Sequence, residues 1–338
     1  NNQGDIIVTG TGTSSYTAWA YGMYVDTLDA TGEINNSGDI TVTGVSEASA
    51  EAVHISTLNG VFNNSGTITA SDEFGVDLAV HALSGTGTFN NLSGGLIEGD
   101  IEISGSVAVN NAGTISIPSL HQGNIAGDYT QSAGGTFRLG AVSEAEYGSL
   151  VVGGTATFTA GTTIDVDVAT VNTLTVDSEL LNVVSAGTLA ASTFTVTDNS
   201  ALLNFSALID SDTVDLLAEK GQTIVEATTI GGKPAALGAA AVLDTSPPGF
   251  ADVTAELNLL ETEEEVADAV ESTVPGVSGG VAQMTNIAVN AVTGIVGARQ
   301  DLTRGLSSGD DFMTDRHIWF KPFGSWTEQD NRQGVTGY

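Results

Sequence analysis

Apolar and polar positions alternate with a period of two in Ile40-Thr41-Val42-Thr43 and in Ile68-Thr69-Ala70. That spacing sends the aliphatic side chains to one face of a strand and the threonines to the other. Ahead of these runs stand short apolar stretches, Glu33-Ile34 and Val61-Phe62, with Thr88-Phe89 and Val107-Ala108-Val109 further on. Between stretch and run sits a recurring corner. Asn1-Asn2-Gln3-Gly4 returns as Asn35-Asn36-Ser37-Gly38, as Asn63-Asn64-Ser65-Gly66 and as Asn110-Asn111-Ala112-Gly113, and Asn90-Asn91-Leu92-Ser93-Gly94 carries one extra residue. Asparagine and glycine tolerate positive φ, and asparagine bonds to its own backbone, so Asn-Asn-x-Gly predicts a sharp turn between two strands.

The copies begin at 1, 35, 63, 90 and 110, spacings of 34, 28, 27 and 20. Helical repeats keep a steadier period and use helix formers, so the variable spacing fits a solenoid whose extra residues leave as loops. Each unit alone buries little, whereas stacked units bury a continuous core and bring equivalent asparagines into amide ladders. The predicted fold is all-β, a right-handed parallel β-helix. At roughly 20 residues per coil and ~4.8 Å per step, the first 230 residues would form about a dozen coils, roughly 50 to 60 Å long. The competing architecture is an antiparallel sandwich or jelly roll with Asn-Gly hairpins.

The pattern changes after Pro247-Pro248-Gly249. Thr262-Glu263-Glu264-Glu265 predicts a capping box opening a short helix on Val266, Ala269 and Val270, stopped before Pro275. A second helix is predicted from Val281 to Arg304, with Met284, Ala288, Ala291, Ile295, Ala298 and Leu302 on one narrow face.

Charge alters the picture. The 338 residues hold 8 basic and 41 acidic side chains, a net charge of −33. No lysine or arginine precedes Arg138, and Arg299, Arg304, Arg316, Lys321 and Arg332 crowd the last 40 positions. Such a surface excludes a general nucleic-acid partner, since nothing displaces counterions from phosphates. Disorder is disfavoured because 41% of the residues are apolar and the mean hydropathy is positive. Glycine is abundant at 42 residues and proline scarce at 6, as expected of many tight turns. Without cysteine there is no disulfide, thiolate metal site or thiol nucleophile. The opening residues lack the features of a signal peptide, so the chain is expected to be processed or a fragment. No apolar run reaches the ~20 residues of a membrane helix.

Past residue 120 the sequence reads Gly127-Asp128-Tyr129-Thr130-Gln131, Gly134-Gly135-Thr136 and Tyr147-Gly148-Ser149-Leu150-Val151-Val152-Gly153-Gly154-Thr155-Ala156. This resembles the autochaperone region that closes the β-helical passenger of bacterial autotransporters, the type V secretion family. Tyr129, Gln131, Gly135, Thr136, Tyr147, Gly148, Leu150 and Gly153 carry the likeness. Near the end, Ile318-Trp319-Phe320-Lys321-Pro322-Phe323-Gly324-Ser325-Trp326 is similar to the first strand of that family's outer-membrane barrel, with Trp319, Phe320, Phe323 and Trp326 suited to a membrane interface. Gly334-Val335-Thr336-Gly337-Tyr338 resembles the entry to the second strand.

The resemblance implies four regions: passenger repeats over 1–126, an autochaperone-like segment over 127–246, a helical linker over 247–310 and a truncated barrel start over 311–338. It implies a cell-surface or extracellular rod or adhesin, carried across the outer membrane by its own C-terminal barrel. Its partners would be host or neighbouring cell surfaces, or copies of itself. The alternatives are a stalk for enzymatic cargo upstream and a self-assembling fibre subunit. The family's lumen helix is sometimes cut between adjacent asparagines; Asn286 and Asn290 are not adjacent, so that reaction is not expected.

Catalytic and metal chemistry is sparse. Gly305-Leu306-Ser307-Ser308-Gly309 has the letters of a nucleophile elbow but follows a predicted helix, and reads as a connector. His54, His81, His121 and His317 are far apart, although stacking could gather the first three; no His-x-x-x-His pair points to a metal. Asp165-x-Asp167 and Asp210-x-Asp212 lack the remainder of a calcium loop, so only weak calcium association with the acidic surface is compatible. Fourteen carboxylates precede Arg138, but they have no glycosidase signature, and the missing basic residues disfavour anionic sugars. No enzymatic activity and no cofactor are expected.

Overall fold

The structure is a computed structural model describing residues 1–12, 18–45, 48–72, 77–191, 193–245, 247, 249–274, 289–290, 292–294 and 296–297. Strands predominate, and most pair in parallel across two large sheets. Three columns can be followed. The first stacks Ile6–Thr11, Ile40–Val45, Thr67–Ser71, Leu96–Glu98, Thr114–Ile117, Thr136–Ser143, Thr163–Val168 and Thr195–Asp198. The second runs Ala18–Leu28, Ala48–Leu58, Asp77–Ala82, Asp100–Ile103 and Gln122–Ile125, and the third Glu33–Asn36, Val61–Asn64, Thr88–Asn91, Ala108–Asn111 and Tyr129–Gln131. Strand Ser149–Phe158 joins these two, its first half pairing with Gln122–Ile125 and its last residues with Tyr129–Gln131. The repeats therefore pair in parallel, and the antiparallel hairpins of the competing architecture do not join them.

Register follows from the hydrophobic pattern, because a slip of one residue would expose every inward side chain. In the first column Ile6, Ile40, Ile68, Ile97, Ile115, Phe137, Ile164 and Val196 are successive partners. In the third, Ile34, Phe62, Phe89, Val109 and Tyr129 align, and the Phe62 and Phe89 rings stack at 4.8 Å. Ile40, Val42, Ile68, Phe62 and Phe89 are all fully buried.

The expected dozen coils is corrected to eight first-column strands among the described residues, whose seven steps span roughly 34 Å at ~4.8 Å each. The tight 20-residue spacing is the exception. Elsewhere long second-column strands lengthen the rung, as in Ala18–Leu28 and Ala48–Leu58.

The register also runs through residue 127 without interruption, since Asn110 pairs with Thr130 and Thr114 with Thr136. Parallel growth stops later. Glu179–Ala190 pairs antiparallel with Thr213–Lys220, which forms a hairpin with Leu203–Asp210.

Helices begin at Ile224, ahead of the Pro247 break. The first, α1 (Ile224–Ile230), is opened by a Thr223/Glu226 capping box, and its free backbone N–H groups at Ile224 and Val225 donate to the Asp244 carboxylate. It is followed by α2 (Leu237–Leu243), α3 (Ala251–Leu257) and α4 (Glu263–Thr273). As the sequence predicts, α4 has Thr262 as its cap and buries Val266 and Val270, but its third buried residue is Ala267, and Ala269 is only partly covered. These helices enclose a second apolar cluster with Ala201 and Leu202. Of the predicted helix from 281 to 304, the described positions are helical, but its narrow face lies outside the described residues. So do Gly305 to Gly309, the barrel-like aromatics Trp319, Phe320, Phe323 and Trp326, and the segment 334–338.

Candidate functional site

The repeated corners are built differently from the sequence expectation. Asn35, Asn36, Asn63, Asn64, Asn110 and Asn111 lie in the last two positions of third-column strands, and the chain bends after them. Neither the asparagines nor Gly38, Gly66 and Gly113 adopt positive φ. Glycine is needed there for clearance: a Cβ at Gly66 would collide with the Gly38 carbonyl oxygen of the preceding rung. In the variant corner Gly94 supplies the positive φ, and Gly95 takes the stacked position.

Two amide ladders run along the column. In the buried one each side chain donates to the next, Asn2 to Asn36, Asn36 to Asn64, Asn64 to Asn91 and Asn91 to Asn111, at 2.7 to 2.9 Å. Its amides also hold the corner carbonyls of Gly38 and Gly66. The outer ladder donates the opposite way, Asn110 to Asn90, Asn90 to Asn63, Asn63 to Asn35 and Asn35 to Asn1. Opposed donation lets the two rows of amide dipoles cancel.

The autochaperone-like residues extend this construction. Asn111 donates to the hydroxyl of Tyr129, which donates to Gln131 at 2.7 Å, and Gln131 caps Gly135 and Thr163 carbonyls. Gln131 thus takes over the asparagine position. Full burial holds the Tyr129 phenol above its usual range, against the opposing effect of Asn111. Thr136 opens a first-column strand, Tyr147 donates to the Leu181 carbonyl, Gly148 packs on the Ile117 carbonyl and Leu150 is core. Gly153 sits where the strand passes between columns.

The second column carries the polar cluster with the most chemistry. Ala52 and Val53 are consecutive, yet both are fully buried in the core, as are Ala79 and Val80 one rung on. Alternation therefore slips by one at this bend, and Glu51 and His54 emerge together on the outer side. His81 is the register partner of His54. His54 Nδ1 lies 2.5 Å and His81 Nδ1 3.1 Å from the same Glu51 oxygen, which belongs to a side chain only 2% exposed. Burial alone would push the Glu51 carboxyl up, but the hydrogen bonds from His81 and His54 outweigh it and hold the group below its ordinary value. The bond to Glu51 raises His81 despite burial. Tyr24 stacks on the His54 ring at 4.8 Å and Tyr21 meets it edge-on.

A second group lies further along. His121 Nδ1 is 3.1 Å from Asp77 and 3.2 Å from Asp100, and these carboxylates push its pKa up to about 10. The preceding Leu120 is exposed with φ 67°. Both clusters bring three nitrogen or oxygen donors within 4.8 Å of one another.

No known protein family, curated protein or solved structure matches this chain.

Stacking thus gathers the first three histidines into two groups, His54 with His81 and His121 separately. Glu51, Asp77 and Asp100 carry no motif of their own in the sequence, but the step from His54 to His81 is 27 residues, the same as from Asn63 to Asn90. Two of the aspartates considered for calcium, Asp165 and Asp167, are engaged otherwise. Asp165 pairs with Arg138 at 2.7 Å and accepts from Thr197, while Asp167 accepts from Asn199.

Proposed function

We propose that the chain is a segment of a bacterial autotransporter passenger, a right-handed parallel β-helix acting as a non-catalytic rod or adhesin outside the cell. The observation that carries this reading is the buried amide ladder from Asn2 to Asn111, continued by Tyr129 and Gln131. It joins the repeats and the autochaperone-like segment into one stack. The right hand follows from the strong preference of parallel strand crossovers for that sense.

A stack of this kind suits export without nucleotide hydrolysis. Each rung uses its neighbour as template, so folding that starts at the C-terminal end and adds rungs one at a time biases a threading chain outward. The antiparallel hairpin Leu203–Lys220 contributes Leu203, Phe205, Val214, Leu216 and Ala218 to the last part of the β core and supplies a place to start. The acidic surface fits a solvated rod facing other cells.

The test is display of the full reading frame on a Gram-negative host. Added protease should reach the passenger on intact cells, and deletion of residues 127 to 168 should abolish folded surface material. Display that is unchanged by the deletion would contradict the reading.

A further inference from the structure

We infer that Glu51, His54 and His81 form a binding site for a late first-row divalent metal ion of the zinc class, clamping two adjacent rungs. Two imidazole nitrogens and one carboxylate are a ligand set suited to zinc, whereas calcium and magnesium take oxygen ligands. The spacing suits a single ion. Tetrahedral ligands at 2.0–2.1 Å from zinc lie about 3.3 Å from one another. His81 Nδ1 already stands 3.1 Å from Glu51 Oε2, His54 Nδ1 must open slightly from 2.5 Å, and all three donors fall within 4.8 Å.

The site is held in place by its surroundings. Glu51 and His54 are fixed on one strand by the Ala52-Val53 bend, and His81 is fixed on the next strand by register. The far nitrogen of His54, Nε2, lies 3.3 Å from the Ser56 hydroxyl. With that nitrogen protonated and donating, Nδ1 presents its lone pair to an ion, the arrangement by which outer partners orient metal-binding histidines. Tyr24 stacks on one face of the His54 ring. The carboxylate is buried on the outer side of the sheet with two imidazoles converging on one oxygen, so an ion would replace two N–H protons at a common point.

The Asp77/Asp100/His121 group is the weaker competitor. There a protonated imidazole already occupies the cation position between two carboxylates.

The test is equilibrium dialysis of the purified chain against Zn²⁺ with excess Mg²⁺ and moderate salt, which suppresses loose association with a chain of net charge −33. The expected result is one zinc per chain, with binding at least tenfold weaker in His54→Gln and in His81→Gln and unchanged in His121→Gln. Circular dichroism establishes that each variant is folded. Independently of any variant, Co²⁺ bound to the wild-type chain should show visible bands of a low-coordinate nitrogen and oxygen site, and zinc should raise Tm reversibly on chelation. Three results would overturn the proposal: no stoichiometric binding by the wild-type chain, binding indifferent to both His54 and His81, or binding lost in His121→Gln alone.

Discussion

The Asn64 side-chain amide donates to the side-chain oxygen of Asn91 at 2.9 Å, with both residues fully buried and 27 positions apart in sequence. Asn64 also accepts from Asn36 and holds the Gly66 carbonyl. Removing it strands polar atoms in a dry core, each orphan costing about 1–3 kcal/mol. Asn64→Ala should therefore lower unfolding free energy by about 2–4 kcal/mol in denaturant titration. Asn63→Ala, in the partly exposed outer ladder, should cost about 1 kcal/mol or less, because water replaces the lost partner.

Gly66 and Gly94 separate two uses of glycine. Gly66→Ala drives a methyl into the backbone of the rung before it, which cannot retreat without breaking the ladder. Gly94→Ala meets open space and bears only the cost of positive φ, about 1–2 kcal/mol. Thermal melts should show the larger loss for Gly66→Ala, with Gly94→Ala still folding.

His121 should make stability depend on alkaline pH. Its folded pKa is raised by Asp100 and Asp77 from the usual 6.5 to about 10. A raised folded pKa contributes stability that is complete below about pH 6.5 and is lost as pH climbs towards 10. Because the ring is nearly one-third exposed, screening reduces the effect to on the order of 2 kcal/mol. The measurement is the difference in unfolding free energy between wild type and His121→Gln. It should be largest near pH 6 and shrink steadily towards pH 10.

Leu120 holds φ at 67° with its side chain in solvent, a conformation that penalises a Cβ and gains little from burial. Leu120→Gly should raise Tm by a few degrees, read by calorimetry, with the His121 pair intact.

Much of this architecture was legible in the sequence because it repeats. The Ile40 and Ile68 runs fixed inward and outward faces, and the Asn-Asn corners marked equivalent positions. The Thr262 to Glu265 capping box placed its helix. What the repeat did not show was local. The corner glycines serve clearance between rungs, which depends on a neighbour far away in sequence. Glu51 reads as a solvated acid until the bend at Ala52-Val53 turns it beside His54. The helices from Ile224 to Leu243 lie outside the predicted linker, although Thr223 and Glu226 carry the same capping signature as Thr262 and Glu265. The shortest spacing, 90 to 110, is not the general repeat length, because the second-column strands elsewhere are longer.

Parallel stacking in this register is the claim on which the rest depends, and a chain without cysteine allows it to be tested by cross-linking. Thr41 pairs with Thr69 and Thr43 with Ser71. Cysteine pairs introduced at 41/69 and, separately, at 43/71 should both oxidise to intrachain disulfides under mild conditions, while a 41/71 pair should not. Antiparallel strands that bring 41 opposite 69 must place 43 opposite 67, so cross-linking at only one of the two registered pairs, or preferential cross-linking at 41/71, would contradict the account.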